Sequence, residues 1–271
     1  MKARLSTRRG SLSRGSFKRG VTPPALIPYL VAGDPDLDTT RRYLRLAASS
    51  GVFAVELGVP FSDPTADGPV IQEAARRSLR HETALPELLD WLGTIPKEEL
   101  PPLYLMTYFN LFHHMGVEAF CKKARETGRV AGVVIPDLSF EDARGYRSIF
   151  RSFGVNLVGF VSPTTPADRA RKIVREARGF VYYVGLMGTT GSALSLTGSI
   201  REKVGAMREW TSLPVCLGFG VSEPRMAREI LEFSDGVIVG SRLVREEEAP
   251  GRWEKTFLEF VAACRKAEPQ S

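Results

Sequence analysis

Glu56, Asp63 and Asp67 fall within one short stretch, where the apolar run Val52–Leu57 gives way to a loop stiffened by Pro60, Pro64 and Pro69. A strand that stops at an acid and opens into a rigid acidic loop suits one wall of an active site. Glu56, at the end of a strand in apolar surroundings, would have its pKa raised by desolvation and be suited to carry a proton. Asp67, on the loop, could stay ionised and stabilise developing positive charge. Two carboxylates in unlike environments make a recurring acid–base design. On residue types alone another assignment stands level, with Asp63 and Asp67 forming turns and Glu56 in an interior ion pair.

A second group lies late in the chain: Gly188-Thr189-Thr190-Gly191, Gly218-Phe219-Gly220 and Gly240-Ser241, each behind an apolar run. Glycines let the backbone approach a ligand closely and turn its N–H groups towards it. Arg242-Leu243-Val244 after Gly240-Ser241 could open a short helix, whose N-terminus favours an anion. Together these glycines point to a phosphate. Gly218-Phe219-Gly220 is no dinucleotide fingerprint, because the third glycine and the acidic ribose partner are missing.

Eight apolar runs are spaced to position these groups: Ala25–Ala32, Val52–Leu57, Leu103–Thr107, Val130–Ile135, Asn156–Val161, Phe180–Val184, Pro214–Leu217 and Gly236–Val239. Between and after them, helical patterns cover Leu37–Ser50, Val117–Thr127, Glu141–Phe153, Ala167–Arg178, Ser199–Trp210, Pro224–Phe233 and Trp253–Lys266. Asp36, Ser139, Thr165 and Ser222 stand where N-caps belong. Eight strands alternating with helices imply a parallel sheet buried on both faces, and in about 245 residues they fit an α/β (β/α)₈ TIM barrel better than an open sheet. No Pro-, Gly- or Ser-rich linker interrupts the body, so one barrel domain is expected over residues 23–268. In such a barrel the C-terminal strand ends carry the chemistry, and Glu56 and the glycine motifs all lie there.

Composition fits an ordinary globular enzyme: 271 residues, 43% apolar and 25% charged. The net charge of +6 belongs to one end, since residues 1–20 hold seven Lys/Arg and no acid. Of 37 basic residues that leaves 30 against 31 acids in the body, a net −1. A basic disordered tail is expected over residues 1–22, with an anionic-surface, nucleic-acid or organelle-targeting role as the alternatives. No apolar run approaches the roughly 18 residues a membrane span needs. Cys121, Cys216 and Cys264 are expected to be reduced thiols, as in a cytoplasmic protein. The three histidines have no metal-ligand spacing, and no metal site is expected.

The segment from Glu56 to Gln72, Glu-Leu-Gly-Val-Pro-Phe-Ser-Asp-Pro-Thr-Ala-Asp-Gly-Pro-Val-Ile-Gln, closely resembles the signature of the tryptophan synthase alpha subunit family. Leu26–Pro35, Met106–Asn110, Val134–Leu138, Val161–Pro166, Gly218–Ser222 and Asp235–Ser241 resemble the same family in the same order. The resemblance implies a retro-aldol cleavage of indole-3-glycerol phosphate to indole and glyceraldehyde 3-phosphate. It implies that Glu56 moves protons and that Asp67 stabilises positive charge at the indole N–H. Indole would lie among Tyr29, Tyr108, Tyr182, Thr190 and Phe219, although each aromatic could equally be barrel packing. Backbone groups of Gly191, Gly220, Gly240 and Ser241 would hold the phosphate.

The resemblance also implies a beta subunit partner in an alpha-beta-beta-alpha heterotetramer, touched by Asp63 and Pro64. No cofactor is expected in this chain, since pyridoxal phosphate would belong to the partner. A stand-alone lyase and a non-catalytic regulatory paralogue are the alternatives. Two stretches depart from the family pattern. Residues 1–22 lack its opening amphipathic helix, and the lid region Gly188–Thr197 runs differently after Thr190-Gly191.

Overall fold

The computed structural model describes residues 25–81, 83–185, 198–218, 220–247, 249 and 251–265. The expected tail, the lid region, Thr190, Gly191 and Phe219 lie outside these. Nine parallel strand segments line up: β1 Leu26–Val31, β2 Val55–Gly58, β3 Leu103–Met106, β4 Val130–Val134, β5 Asn156–Leu157, β6 Gly159–Val161, β7 Val181–Val184, β8 Val215–Gly218 and β9 Gly236–Val239. Their order is β5-β4-β3-β2-β1-β9-β8-β7-β6, with β1 pairing both β2 and β9. The two ends of this order, β5 and β6, are separated in the chain by Val158 alone, so chain continuity completes the barrel.

The expected eight strands are therefore eight walls, the fifth split in two. β5 pairs with β4 and β6 with β7. Val158 between them still donates its N–H to the Val133 carbonyl at 3.1 Å. The split coincides with Gly159, where a Cβ would meet Ala177 at 2.9 Å and Ile173 at 3.0 Å. The following helix is seated on that bare backbone.

Alternation along the strands sorts side chains to two sides. Leu26, Leu30, Val55, Leu57, Leu103, Leu105, Val181, Tyr183, Val215 and Leu217 belong to the core shared with the helices. Ile27, Ala54, Tyr104, Val134, Val158, Phe180, Cys216 and Ile238 form a separate apolar cluster inside the ring. Two residues further along come Tyr29, Glu56, Tyr182, Gly218 and Gly240, so the next interior layer is polar and glycine-rich and holds residues singled out in the sequence.

The helices come close to the sequence expectation, with instructive differences. Val117–Thr127 agrees at both ends and stops at Gly128, which has φ +63°. Asp36 caps the helix Leu37–Ser49 by accepting the Thr39 N–H at 2.6 Å. Ser139 caps a turn instead, accepting from the Asp142 N–H, and the helix proper begins at Arg144. Thr165 and Ser222 are not caps: Pro166 and Glu223 hold those places, without side-chain bonds. The helix expected to reach Arg178 ends at Glu176, because the Arg178 N–H turns back to the Leu157 carbonyl on β5. Helices Pro69–Leu79, Leu85–Thr94 and Phe109–Met115 were not anticipated.

Candidate active site

Tyr29 on β1 and Glu56 on β2 are direct register partners, and both side chains are buried. Glu56 is only 2% exposed. Burial, with the charge of Asp67 second, pushes its carboxyl from 4.5 up to about 8. Asp67 follows in a turn, where its N–H donates to the Pro64 carbonyl at 3.1 Å. It is raised from 3.8 by burial, while the Tyr108 hydroxyl, donated to its Oδ2 at 3.0 Å, works the other way. Asp67 therefore ionises first, and Glu56 must lose its proton beside an existing negative charge.

Tyr108 is the N-cap residue of helix Phe109–Met115, stacked on Phe61 at 5.2 Å between centroids. The same hydroxyl that donates to Asp67 accepts from the Ala66 N–H at 2.9 Å. One phenol thus clamps both the backbone and the carboxylate of the acidic loop. Gln72 adds a second restraint, donating to the Asp67 carbonyl at 2.8 Å. A narrow cleft lined by Tyr29, Phe61, Pro64, Asp67, Met106 and Tyr108 runs alongside.

On the opposite wall Tyr182 of β7 stacks on Phe160 of β6 at 5.1 Å and 23°. The hydroxyls of Tyr29 and Tyr182 are both held well above their ordinary range, first by burial and then by the charges of Glu56 and Asp67. Both carboxylates and both phenols therefore share one electrostatic neighbourhood. Two strand glycines make room for the rings. A Cβ on Gly58 would collide with the Tyr29 hydroxyl, and one on Gly218 would lie 2.5 Å from the Tyr182 ring. Neither was anticipated in this role. The signal was there: each glycine ends a strand beside one that carries an inward tyrosine.

Of the residues matched to phosphate, Gly220 has φ +53°, and Gly240 and Ser241 open the short helix Ser241–Glu246 directly after β9. Gly240 lies over Tyr29, whose Cβ is 3.9 Å from where a glycine Cβ would be. Asp63 and Ser62 are exposed on the acidic loop, with the Ser62 hydroxyl 2.5 Å from the Asp63 carboxylate. Pro64 is half-buried there. Among the described residues no cluster of His, Cys, Asp and Glu could hold a metal, and no helix is long and apolar enough to cross a membrane. Cys121, Cys216 and Cys264 are all buried free thiols.

A separate cavity of about 220 Å³ lies beside the split strand, between helices Arg144–Phe153 and Ala167–Glu176. Phe160 and Val184 form part of its wall, and neither site carboxylate reaches it.

Known proteins of one family resemble this chain in sequence and in fold. The family described as "Tryptophan synthase alpha chain" matches residues 18–270. The tryptophan synthase alpha chain of Trichodesmium erythraeum is 40% identical over 255 residues, spanning 93% of this chain and 96% of that one. That of Laribacter hongkongensis is 43% identical over 240 residues, spanning 88% and 90%. Among solved structures, Mycobacterium tuberculosis tryptophan synthase superposes with a TM-score of 0.80 at 31% identity, covering 89% of this chain and 93% of that one. The tryptophan synthase alpha subunit of Campylobacter jejuni gives 0.79 at 31% identity, covering 86% and 94%. The chain belongs to the tryptophan synthase alpha chain family, the lyases that cleave indole-3-glycerol phosphate in tryptophan biosynthesis.

Proposed function

We propose that Glu56 is the proton-transfer group of this lyase and Asp67 its electrostatic partner. The observation that carries this reading is a carboxyl 2% exposed on β2, two residues short of the strand's C-terminal end at Gly58, with a pKa of about 8. Near neutral pH such a group can both give and take a proton. It gives one to indole C3, making a cationic indolenine. It then takes the proton of the side-chain hydroxyl while the C–C bond breaks, the electron pair returning to the ring and the aldehyde forming. Glu56 ends in the state in which it began. Asp67, with one oxygen held by Tyr108, stabilises the positive charge at the indole N–H.

Tyr29, Tyr108 and Tyr182 enclose the indole, joined by Thr190 and Phe219. Backbone groups of Gly191, Gly220, Gly240 and Ser241 bind the phosphate. The reaction so written needs no metal or organic cofactor in this chain. The barrel domain spans residues 23–268, behind a basic tail at 1–22. Asp63 and Pro64, on the same loop as Asp67, face a beta subunit that receives indole and carries pyridoxal phosphate, in an alpha-beta-beta-alpha assembly in the cytoplasm.

Glu56→Gln keeps the size of the side chain and removes only its proton chemistry. Indole release should fall by about two to four orders of magnitude, with fold and substrate affinity retained. A variant keeping most of the turnover would sink the assignment.

A further inference from the structure

Glu247 follows the helix Ser241–Glu246 and takes no part in the chemistry above. It is 8% exposed, and both of its carboxyl oxygens are buried with no N–H or O–H of another group to satisfy them, the side chain they meet being the Asp34 carboxyl. An ionised carboxylate left in that state costs several kcal/mol. Among the described residues, the groups around it come from several neighbouring elements. Asp34 lies just past the end of β1, and Tyr29 lies within β1. Tyr43, with Glu254 beside it, faces it from helix Leu37–Ser49, and Arg77 from helix Pro69–Leu79. Its neighbour Glu246 is engaged elsewhere, with Arg242 and Arg252.

Asp34 is 1% exposed and takes the Arg77 guanidinium as a fork, Nε to Oδ1 at 2.9 Å and NH2 to Oδ2 at 2.7 Å. Arg77 is thereby committed to Asp34. Two buried carboxyls facing one committed cation cannot both ionise cheaply, and the one without the fork keeps its proton. Burial and the Asp34 charge push Glu247 well up, against a smaller pull from Arg77.

We propose that Glu247 is a positioning residue: as a neutral acid it donates a hydrogen bond to Asp34, pinning the helix that begins at Ser241 to the end of β1 and to the helix that follows Asp67. All three elements carry parts of the site. Helix Pro69–Leu79 starts two residues after Asp67, β1 carries Tyr29, and Gly240-Ser241 opens the third. Tyr29, Val31, Ala74 and Val244 already pack these elements together, and the carboxyl pair adds direction to an apolar contact. The inference rests on the reading of Gly240 and Ser241 as phosphate ligands.

The test compares Glu247→Gln with Glu247→Leu in the full-length chain, following indole release across pH. Gln keeps a neutral donor, so its kcat and KM should stay within about twofold of wild type near neutral pH. It should also lose the alkaline rise in KM that ionisation of Glu247 causes. Leu fills the space without the bond and should raise KM about five- to tenfold while kcat changes less than twofold. Equal impairment of the two variants, or a Leu variant like wild type, overturns the proposal. Infrared difference spectra of wild type against Glu247→Gln give a reading independent of turnover, with a protonated-carboxyl band expected at neutral pH. Its absence overturns the proposal too. Inorganic phosphate as an inhibitor of the wild type checks the phosphate assignment separately. Non-competitive inhibition there would remove that assignment and leave the infrared result standing.

Discussion

The carboxyl at position 56 is costly for the fold and, in the proposed mechanism, useful to the reaction, and one property explains both. Its pKa of about 8 in the folded chain lies above its ordinary 4.5, so folding takes up a proton between those values. The stability it contributes is complete below about pH 4.5 and is lost as pH rises towards about 8, on the order of 5 kcal/mol in all. Glu56→Gln has no proton to lose. Its thermal midpoint should fall less than that of wild type between about pH 5 and pH 9, and parallel curves would refute the raised pKa. In the proposed mechanism the same ionisation governs turnover. If Glu56 must hold a proton to protonate C3, kcat/KM in the wild type should decline above about pH 8. A profile flat through that range would take the Glu56 proton out of the rate-determining sequence.

Strands and loops set the residue scale by bringing small residues against large ones. Gly58 of β2 is the clearest case, since its missing Cβ is the space that the Tyr29 hydroxyl occupies. Gly58→Ala should cost about 1–3 kcal/mol and weaken substrate binding. Removing the hydroxyl with Tyr29→Phe in the same chain should recover part of the loss, since the ring carbon Cζ would still lie 2.7 Å from the added methyl. Additive losses in the double variant, measured by denaturant unfolding, would show that the clash is not the cause. This pairing also shows what the sequence could and could not disclose. The end of an apolar run in a barrel put Glu56 at the catalytic face, the family resemblance put Tyr29 near the indole, and the glycine motifs marked the opposite rim. Period two does not report register, so that Tyr29 lies beside Glu56, and that Gly58 and Gly218 seat tyrosines, emerged only from strand pairing. Helix Pro69–Leu79 was hidden because its first turn shares Gly68-Pro69 with the acidic loop, where proline reads as loop stiffening as readily as a helix start. The Tyr108 clamp joins residues 41 positions apart, and no local pattern announces it.

On the scale of the whole molecule, the barrel gives Glu56 a rigid wall and Asp67 a tethered but exposed loop, and that asymmetry bears on coupling to a partner. Glu56 is fixed between β1 and β3, with Val55 to Gly58 paired along their length. Asp67 depends on the Tyr108 hydroxyl, the Gln72 amide and a turn through Pro64, while Asp63 at the other end of that turn faces solvent. A partner seated on Asp63 and Pro64 would restrict the one of the two proposed catalytic carboxylates that the barrel itself leaves adjustable. A displacement of about 1 Å in a catalytic group can cost about a hundredfold in rate, so even partial restraint should be visible. Indole release measured with and without a beta subunit should therefore rise by about tenfold or more in kcat when the partner is added, with a smaller change in KM. Tyr108→Phe, which loosens the same carboxylate from within, should lower the unpartnered rate and leave a larger relative gain on adding the partner. If the rate of the wild-type chain is unchanged by the beta subunit, the loop is already set by its internal bonds, and the chain works as a stand-alone lyase.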